Sequence, residues 1–403
     1  MHDVNHAADR NARVSAIPEI VIAGCGAITA VGDGVEALRT AMRTGRSGLR
    51  KCERYSDTRF QSSIAGVALQ NGEYDDPAYE LASRALAEAC GQAQAVLTSV
   101  APERIGFVLA TTKANIEALE RISDERKCSE EGRRHLQGDL LAADLAVEYR
   151  AKGPKQCVSN ACVSGLIAIQ QGARLIQRGE ADAVLVAGVD HLSAFVMAGF
   201  SSLKALDPVG CRPFDRDRAG LSPGEAGAAI VLTKKIFFQS NHPTIQSPIF
   251  LQGWGNSNDA NHITGPSRDG SGLAAAIRAA LTSAKVKLEE IDYINAHGTG
   301  TPFNDAMESA ALRTVFGDSC PPVSGSKGML GHTLGAAGVV ETILCVLAIR
   351  ERWLPGTPGL NVPAELAPGS LMRESRPANR INHVLKMNTG FGGVNGALVL
   401  GYE

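Results

Sequence analysis

Two stretches in opposite halves of the chain share one pattern: a short strand, a turn of small residues and an apolar helix. The first spans residues 154–188 and the second residues 320–350. The second helix, predicted over residues 334–349, is apolar on nearly every side, which is typical of a helix buried in a large core. Two such units predict a duplicated α/β architecture.

Composition and charge exclude several broad classes of protein. The chain has 403 residues, 44% of them hydrophobic, and a formal net charge of -2, which argues against a nucleic-acid binder. Its nine cysteines form no C-x-x-C pair and their number is odd, so a reduced, cytoplasmic location is favoured over a disulfide framework. No stretch is long and apolar enough to span a membrane without interruption.

The chain is predicted to consist of a leader and two halves. Residues 1–17 are polar and lack the apolar core of a signal peptide, so we expect a flexible leader. We place the first half at residues 18–240 and the second at residues 248–403. The polar stretch at residues 237–248 is the expected join between them.

Cys162 is the candidate nucleophile. It lies among small residues in the segment SNACVSG, at the predicted start of a helix over residues 162–178. A thiol in the first turn of a helix has a lowered pKa because of the helix dipole and the free N–H groups. Those N–H groups can also hold an oxyanion. The alternative interpretation is a buried structural thiol, the commonest fate of a free cysteine.

Two histidines in small-residue segments are candidate partners of this thiol. His297 begins the segment HGTGTP, where the hydroxyls of Thr299 and Thr301 point the same way along an extended loop and can bind an amide-containing arm. His332 ends the segment KGMLGH. Two neutral imidazoles can each donate an N–H to one carbonyl oxygen and so stabilise the enolate left when a malonyl thioester loses carbon dioxide. For His297 the alternative is a structural histidine.

Charged residues near these motifs are predicted to support them. Glu341 falls inside the apolar helix, where a carboxylate is costly unless paired, and Lys327 is its natural partner. This pair either orients His332 or only holds the loop. Asp305 and Glu308 are expected to form a solvated or helix-capping acidic face rather than a metal site.

Two further positions allow more than one interpretation. Phe391 lies between two glycines, so its ring either swings as a gate or fills the core. Its backbone N–H can complete an oxyanion hole with that of Cys162. Thr111 follows a predicted strand and either lines a pocket or belongs to an ordinary strand-to-helix turn.

Together these motifs resemble the β-ketoacyl-acyl-carrier-protein synthases, the elongating condensing enzymes of the thiolase fold. The resemblance runs from about residue 18 to residue 402. It rests on SNACVSG, CRPFD with GEAG, NAHGTGTPFNDAMES, KGMLGHTLGAAGVVE and NTGFGGVNGALVL, in that order. It implies a thiolase-like α/β fold of two duplicated halves in α-β-α-β-α layers.

The resemblance implies a role for each candidate residue. Cys162 matches the acyl-accepting nucleophile, and His297 and His332 match the decarboxylation pair. Lys327 matches the active-site lysine, with Glu341 at the position of its usual partner. The remaining matches are the pantetheine-binding Thr299 and Thr301, the gating Phe391, and Asp259 and His262 of a second entrance loop. Phe200 and Thr111 are further candidates for substrate binding.

The implied activity is that of a 3-oxoacyl-acyl-carrier-protein synthase, an acyltransferase that condenses malonyl-carrier protein with an acyl group on Cys162. No metal or cofactor is implied, because the phosphopantetheine arm arrives on the acyl carrier protein. That carrier is the expected partner, and Lys204 and Arg212 are candidates for the basic rim where it docks. A second synthase-like subunit is also expected, in a homodimer or a heterodimer.

Departures from the family pattern leave the pathway open. Asn160 and Val163 beside the nucleophile differ from the fatty-acid elongating pattern, and residues 111–115 replace a more glycine-rich loop. These variants are similar to synthases of aryl-polyene and flexirubin-type pigment pathways. The rival functions are a chain-length partner subunit, which usually lacks the nucleophile, and a non-decarboxylating thiolase, which needs a second catalytic cysteine near the C-terminus.

Overall fold

A computed structural model of the protein places most of the chain, and the expected leader at residues 1–17 lies outside the described part. So does half of the expected join between the halves, residues 242–247. The described residues are 18–56, 59–69, 74–123, 127–241, 248–365 and 367–402.

Fifteen strands lie in the described residues, most of them in one mixed sheet. Its order is β11-β10-β14-β15-β9-β1-β8-β7-β5-β6, with β2 paired to β1, while β3 pairs with β4 and β12 with β13. The strands are β1 Ile20–Thr29, β2 Gly32–Asp33, β3 Leu49–Lys51, β4 Ile64–Gly66, β5 Ile105–Ala110, β6 Lys155–Val158, β7 Ala183–Asp190, β8 Ala226–Lys234, β9 Ile249–Asn258, β10 Tyr293–Asn295, β11 Val323–Ser324, β12 Trp353–Leu354, β13 Arg376–Pro377, β14 His383–Gly390 and β15 Val394–Tyr402.

The sheet consists of two copies of one topology. In the first half the order is β1-β8-β7-β5-β6, and in the second it is β9-β15-β14-β10-β11. Along both paths the first two pairings are antiparallel and the next two are parallel. The copies meet where β1 pairs with β9, through Val21 and Phe250. The predicted duplicated α/β architecture is therefore confirmed.

Helices cover both outer faces of the sheet and fill the space between its halves. In the described residues they are α1 Gly34–Thr44, α2 Pro77–Gln92, α3 Gln94–Ser99, α4 Ile116–Ser123, α5 Glu130–Arg134, α6 Gly138–Glu148, α7 Ser164–Gln177, α8 Ala194–Ser202, α9 Lys235–Asn241, α10 Ser271–Ala284, α11 Pro302–Phe316, α12 Lys327–Leu330 and α13 Ala337–Glu351. The layer on one side is α2 with α6, and on the other α10 with α11, while α7 and α13 pack between the two sheet halves. None of these helices has the length and apolar character needed to cross a membrane.

The two central helices cross at a pair of glycines. A Cβ on Gly165 would lie 2.7 Å from the backbone nitrogen of Val339, and one on Gly338 would lie 2.3 Å from that of Leu166. Only residues without a side chain allow α7 and α13 to approach this closely. Every residue of α13 from 337 to 349 is buried, as its apolar pattern predicts. The turns that begin the two helices are thereby brought face to face.

Candidate active site

Cys162 lies in a tight turn two residues before α7, rather than within its first helical turn. Ala161 has a φ of +45°, a left-handed conformation that a residue with a side chain rarely adopts. The Ser164 hydroxyl holds the turn, because it accepts from the Asn160 N–H at 2.7 Å and donates to the Ala161 carbonyl at 2.7 Å. Burial raises the pKa of the Cys162 thiol to about 12, and the charge of Lys327 offsets this only in part. The expected lowering of this pKa is therefore wrong.

His332 contacts the thiol directly. Its Nε2 lies 3.0 Å from Cys162 Sγ. Its Nδ1 accepts from the Leu334 N–H at 3.1 Å, which leaves the proton of a neutral ring on Nε2. Burial, reinforced by the charge of Lys327, lowers the pKa of His332 to about 3. His332 is thus a neutral donor aimed at the sulfur.

His297 is held in the same tautomer by different partners. Its Nδ1 lies 3.1 Å from Lys327 Nζ and 2.8 Å from Asn388 Nδ2, both of them donors. Burial and then the charge of Lys327 lower its pKa well below the ordinary value. Because Nδ1 accepts these two hydrogen bonds, the Nε2 of His297 is the protonated nitrogen. Glu308 fixes the backbone at this point, since it accepts from the N–H groups of His297 and Gly298 at 2.7 Å each.

The acidic pair after this histidine is buried, and the expected solvated face is wrong. Glu308 is 0% exposed and Asp305 is 1% exposed. Asp305 accepts from the backbone N–H groups of Phe214 and Gly300 at 2.7 and 3.2 Å. Burial, reinforced by the charge of Asp305, raises the pKa of Glu308 to about 7. The pair anchors the loop that carries His297.

The thiol and the two imidazoles meet in one cavity. Cys162 Sγ and one ring nitrogen from each of His297 and His332 lie within 4.8 Å of one another. The two rings have centroids 5.2 Å apart and stand nearly perpendicular. A cavity of about 490 Å³ reaches all three side chains. A small electrophilic substrate group can therefore contact the sulfur and both Nε2–H donors together.

Glu341 is the centre of a buried charge cluster behind the histidines. Its Oε1 accepts from Lys327 at 2.6 Å and from the Ser326 hydroxyl at 2.9 Å. Its Oε2 lies 2.9 Å from Lys386 Nζ and accepts from Asn388 at 3.0 Å. Burial alone would raise the pKa of Glu341, but the charges of Lys327 and Lys386 lower it to about 2. The carboxylate is ionised and fully hydrogen-bonded.

The outer part of the cavity is lined by several of the predicted substrate-contacting residues. The hydroxyls of Thr299 and Thr301 lie 2.8 Å apart at its wall. Phe200 and Phe391 also line it, with ring centroids 6.2 Å apart. A Cβ on Gly390 would lie 3.3 Å from the Cys162 backbone nitrogen, so the turn before Phe391 passes beside the nucleophile.

Asp259 and His262 belong to a loop that is hydrogen-bonded to the glycine turn. Asp259 accepts from Asn395 at 2.7 Å, and its own backbone N–H donates to Gly393 at 2.7 Å. His262 lines the cavity and accepts from backbone N–H groups of its own loop. Thr111 does not line the cavity, because its hydroxyl is turned to Asp190 at 3.1 Å. Its substrate-binding role stays a prediction.

The sequence interpretation missed two residues of the core, Lys386 and Asn388. Both lie on β14 at alternate positions, and both contact Glu341. The available signal was the position of Lys386 among the apolar residues Val384, Leu385 and Met387, with Asn388 directly after them, since buried polar groups need partners. Their distance along the chain from the motifs they support conceals the connection.

The sequence matches both parts of one enzyme family. Residues 18–236 match the beta-ketoacyl synthase N-terminal domain, and residues 250–361 match the C-terminal domain. The chain is 30% identical to the 3-oxoacyl-[acyl-carrier-protein] synthase 2 of Vibrio cholerae, over 94% of this chain and 98% of that protein.

Relatives from polyketide synthesis are equally similar. The tetracenomycin polyketide synthase ketoacyl synthase alpha subunit of Streptomyces glaucescens is 32% identical, over 94% of this chain and 96% of its own length. The solved ishigamide ketosynthase/chain length factor is 30% identical and superimposes with a TM-score of 0.87, over 96% of this chain and 99% of that chain. These matches show that the chain belongs to the beta-ketoacyl synthase family, whose members are acyltransferases with the thiolase-like fold, and the site geometry agrees with this.

Proposed function

We propose that this protein is a 3-oxoacyl-acyl-carrier-protein synthase that extends an acyl group held on Cys162 with a unit from malonyl-carrier protein. One observation carries the proposal: the Cys162 thiol and neutral His297 and His332 converge within 4.8 Å in one cavity. A nucleophile beside two N–H donors fits a reaction with a covalent acyl intermediate and a developing oxyanion.

The first step is acyl transfer to the enzyme. Cys162 Sγ forms a bond to the acyl carbon, the bond to the carrier's pantetheine sulfur breaks, and the thiol proton ends on that leaving sulfur. The backbone N–H groups of Cys162 and Phe391 are the proposed donors to the tetrahedral oxyanion, because the glycine turn passes beside the Cys162 nitrogen.

The second step is decarboxylation of the malonyl group. Its carboxylate leaves as carbon dioxide, and the electron pair stays on the thioester as an enolate. The Nε2–H groups of His297 and His332 donate to the enolate oxygen, which is where negative charge develops. The enolate carbon then attacks the acyl carbon, the bond to Cys162 breaks, and the thiolate takes up one proton.

The carrier's phosphopantetheine arm is proposed to bind at the adjacent hydroxyls of Thr299 and Thr301. Their oxygens lie 2.8 Å apart on the cavity wall and can donate to or accept from the arm's amides. We propose that no bound metal or cofactor takes part, since the thiol supplies the nucleophile, the imidazoles stabilise the negative charge that develops, and the last proton comes from the solvent.

Two surfaces bear on the proposed partners. Lys204 is exposed at the cavity mouth, in a position to meet an acidic carrier protein. Arg212 is paired with Asp207 at 2.9 Å, so a structural role is its better interpretation.

The edge of the large sheet is the proposed site for a second subunit. β6 forms one end of this sheet and is partly exposed. A second synthase-like subunit, identical or a chain-length partner, can add a strand there.

The rival activities fit the site less well. A chain-length partner subunit needs no nucleophile, yet Cys162 lies 3.0 Å from His332. A non-decarboxylating thiolase needs a second cysteine, and Cys162 is the one cysteine among the described residues that line the cavity.

Since all nine cysteines are unpaired, we propose that the enzyme works in the reducing cytoplasm. The aryl-polyene pathway stays a prediction, beside fatty-acid and other polyketide pathways.

The decisive experiment supplies malonyl-carrier protein with a panel of acyl-carrier proteins and follows both the acyl-enzyme and the 3-oxoacyl product by mass spectrometry. The wild type should form both, and the preferred acyl group identifies the pathway. Cys162→Ala should form neither while still releasing carbon dioxide from malonyl-carrier protein. Full condensation by Cys162→Ala would refute the assignment of the nucleophile.

A further inference from the structure

The catalytic core contains a second buried lysine that the steps above leave without a task. Lys386 is 0% exposed. Its Nζ lies 2.9 Å from Glu341 Oε2, donates to the Met387 carbonyl, and lies 3.4 and 3.5 Å from the carbonyls of Ala296 and Asn295. One carboxylate and three carbonyl oxygens thus surround a single positive charge. Such a complete set of acceptors is what a buried ammonium needs.

The groups around Lys386 are the ones that hold His297. Asn295 ends β10, and the chain continues through Ala296 directly into His297. Glu341 Oε2, the partner of Lys386, also accepts from Asn388, whose amide lies 2.8 Å from His297 Nδ1. Lys386 therefore contacts both the backbone that carries the imidazole and the carboxylate that orients its hydrogen-bond donor.

Lys386 also sets the charge around the imidazole. Glu341 is one carboxylate between two ammonium groups, so the cluster keeps a net positive charge. That charge opposes protonation of His297, and it lets Lys327 donate to His297 as well as to Glu341. The titratable groups that bear on Lys386 are Glu341, Lys327 and Cys345, and those that bear on His297 are Lys327, His332, Lys386, Glu308 and Cys162.

We propose that Lys386 is a positioning residue for decarboxylation, which fixes the backbone of His297 and keeps its ring neutral with Nε2–H directed at the enolate oxygen. The inference rests on the proposed decarboxylation and deepens it. A neutral His297 has an unprotonated Nδ1 that accepts from Lys327 and Asn388. A protonated ring would present an N–H to those same donors and lose its orientation.

Two substitutions separate charge from packing. Lys386→Met removes the charge at similar volume, and Lys386→Arg keeps it. In Lys386→Met we expect decarboxylation of malonyl-carrier protein to slow by about tenfold to a hundredfold, because a small misplacement of a reacting group has effects of that size. Acylation of Cys162 should slow less. Lys234→Met is the matched control. Lys234 Nζ lies 2.5 Å from an Asp182 carboxylate oxygen, and neither residue lines the cavity, so this variant should keep both wild-type rates.

The pH dependence of the decarboxylation rate separates the two explanations, because a loss of stability alone would not shift its acid side. Removing a positive charge raises the pKa of His297, so the acid side of the decarboxylation profile should shift to higher pH in Lys386→Met. In Lys386→Arg it should stay at the wild-type position. A wild-type rate in the methionine variant, or the same acid limb in the methionine and arginine variants, would overturn the inference.

Chemical rescue gives a second test that does not depend on the methionine variant folding. Lys386→Ala leaves a space lined by the carbonyls and by Glu341, so ammonium or methylammonium chloride should restore decarboxylation, while tetramethylammonium chloride at equal ionic strength should not. Equal rates in these salts would count against a role for the charge. A wild type that neither acylates nor decarboxylates would refute the proposed function itself, whereas an active wild type matched by the variants refutes only the role of Lys386.

Discussion

The two central helices begin in equivalent turns of a duplicated fold, yet the turns carry different chemistry. The turn before α7 presents Cys162, and neutral groups such as the Ser164 hydroxyl hold it in place. The region that begins α13 presents His332 and the buried pair of Lys327 and Glu341. The first half supplies the nucleophile, and the second supplies the groups that stabilise negative charge.

This division explains why the reacting groups meet without any of them being close in sequence. The repeated strand order brings the two helix starts face to face, and their close crossing fixes the distance between them. Because the fold fixes the meeting point, each half can hold a different kind of side chain there. The comparison predicts that substitutions in the second half disturb charge and stability together, whereas those in the turn of the first half mainly affect chemistry.

The largest expected effect follows from removing the charged centre of the second half. Glu341→Ala should lower the free energy of unfolding by about 3–5 kcal/mol, because it leaves two buried ammonium groups without their carboxylate. Urea unfolding followed by circular dichroism measures the change. Cys162→Ala, at the corresponding place in the first half, should unfold close to the wild type, and equal losses in the two variants would break the comparison.

The same carboxylate gives a pH dependence of known sign. The pKa of Glu341 is lowered to about 2 in the folded protein, from an ordinary value of 4.5. A group whose folded pKa is depressed stabilises the fold above its unfolded pKa, and that contribution is lost as the pH falls from about 4.5 toward 2. The wild type should therefore lose stability over this acid range more steeply than Glu341→Gln, and parallel curves would contradict the lowered pKa.

The next largest effect concerns the two imidazoles. His297→Ala and His332→Ala should each slow malonyl decarboxylation by about 10²–10³-fold, or about 2.7–4 kcal/mol, the usual loss for one oxyanion donor. Since His332 also lies 3.0 Å from Cys162 Sγ, its removal should slow acylation of the thiol more than removal of His297 does. Carbon dioxide release and acyl-enzyme formation, measured separately, check both statements. Unchanged decarboxylation in either variant would end the shared role.

The sequence predicted the features that depend on local pattern and missed those that depend on burial by distant elements. The apolar character of α13 on nearly every side predicted a buried helix, and the carboxylate of Glu341 within it predicted a buried pair with Lys327. The pKa of Cys162 was mispredicted, because the helix-dipole argument is local while the burial that raises this pKa comes from the whole fold. Lys386 escaped because three of its four acceptors come from distant parts of the chain, up to 91 residues away.

A moderate effect is expected where the halves touch. Gly165→Ala and Gly338→Ala should each cost about 1–3 kcal/mol of stability, because either Cβ would press on the backbone of the opposite helix. Gly91→Ala in α2 is the matched control: nothing lies within 4 Å of its Cβ position, so it should be stabilising by about 0.5–1 kcal/mol. Thermal unfolding measures all three. A large loss at one central glycine alone would show that the crossing is less symmetric than the fold suggests.

The smallest effect concerns the proposed binding of the phosphopantetheine arm by the second half, which would serve both the acylation of Cys162 and the decarboxylation. Thr299→Val keeps the shape of the side chain but removes a hydroxyl that lies 2.8 Å from that of Thr301. One neutral hydrogen bond contributes about 1 kcal/mol, so KM for the carrier protein should rise about fivefold with little change in kcat. Because one arm delivers both substrates, the rise should appear in acylation of Cys162 as well as in decarboxylation. A rise confined to decarboxylation would mean that the acyl and malonyl arms bind differently, and an unchanged KM in both would remove the hydroxyls from the arm's binding site.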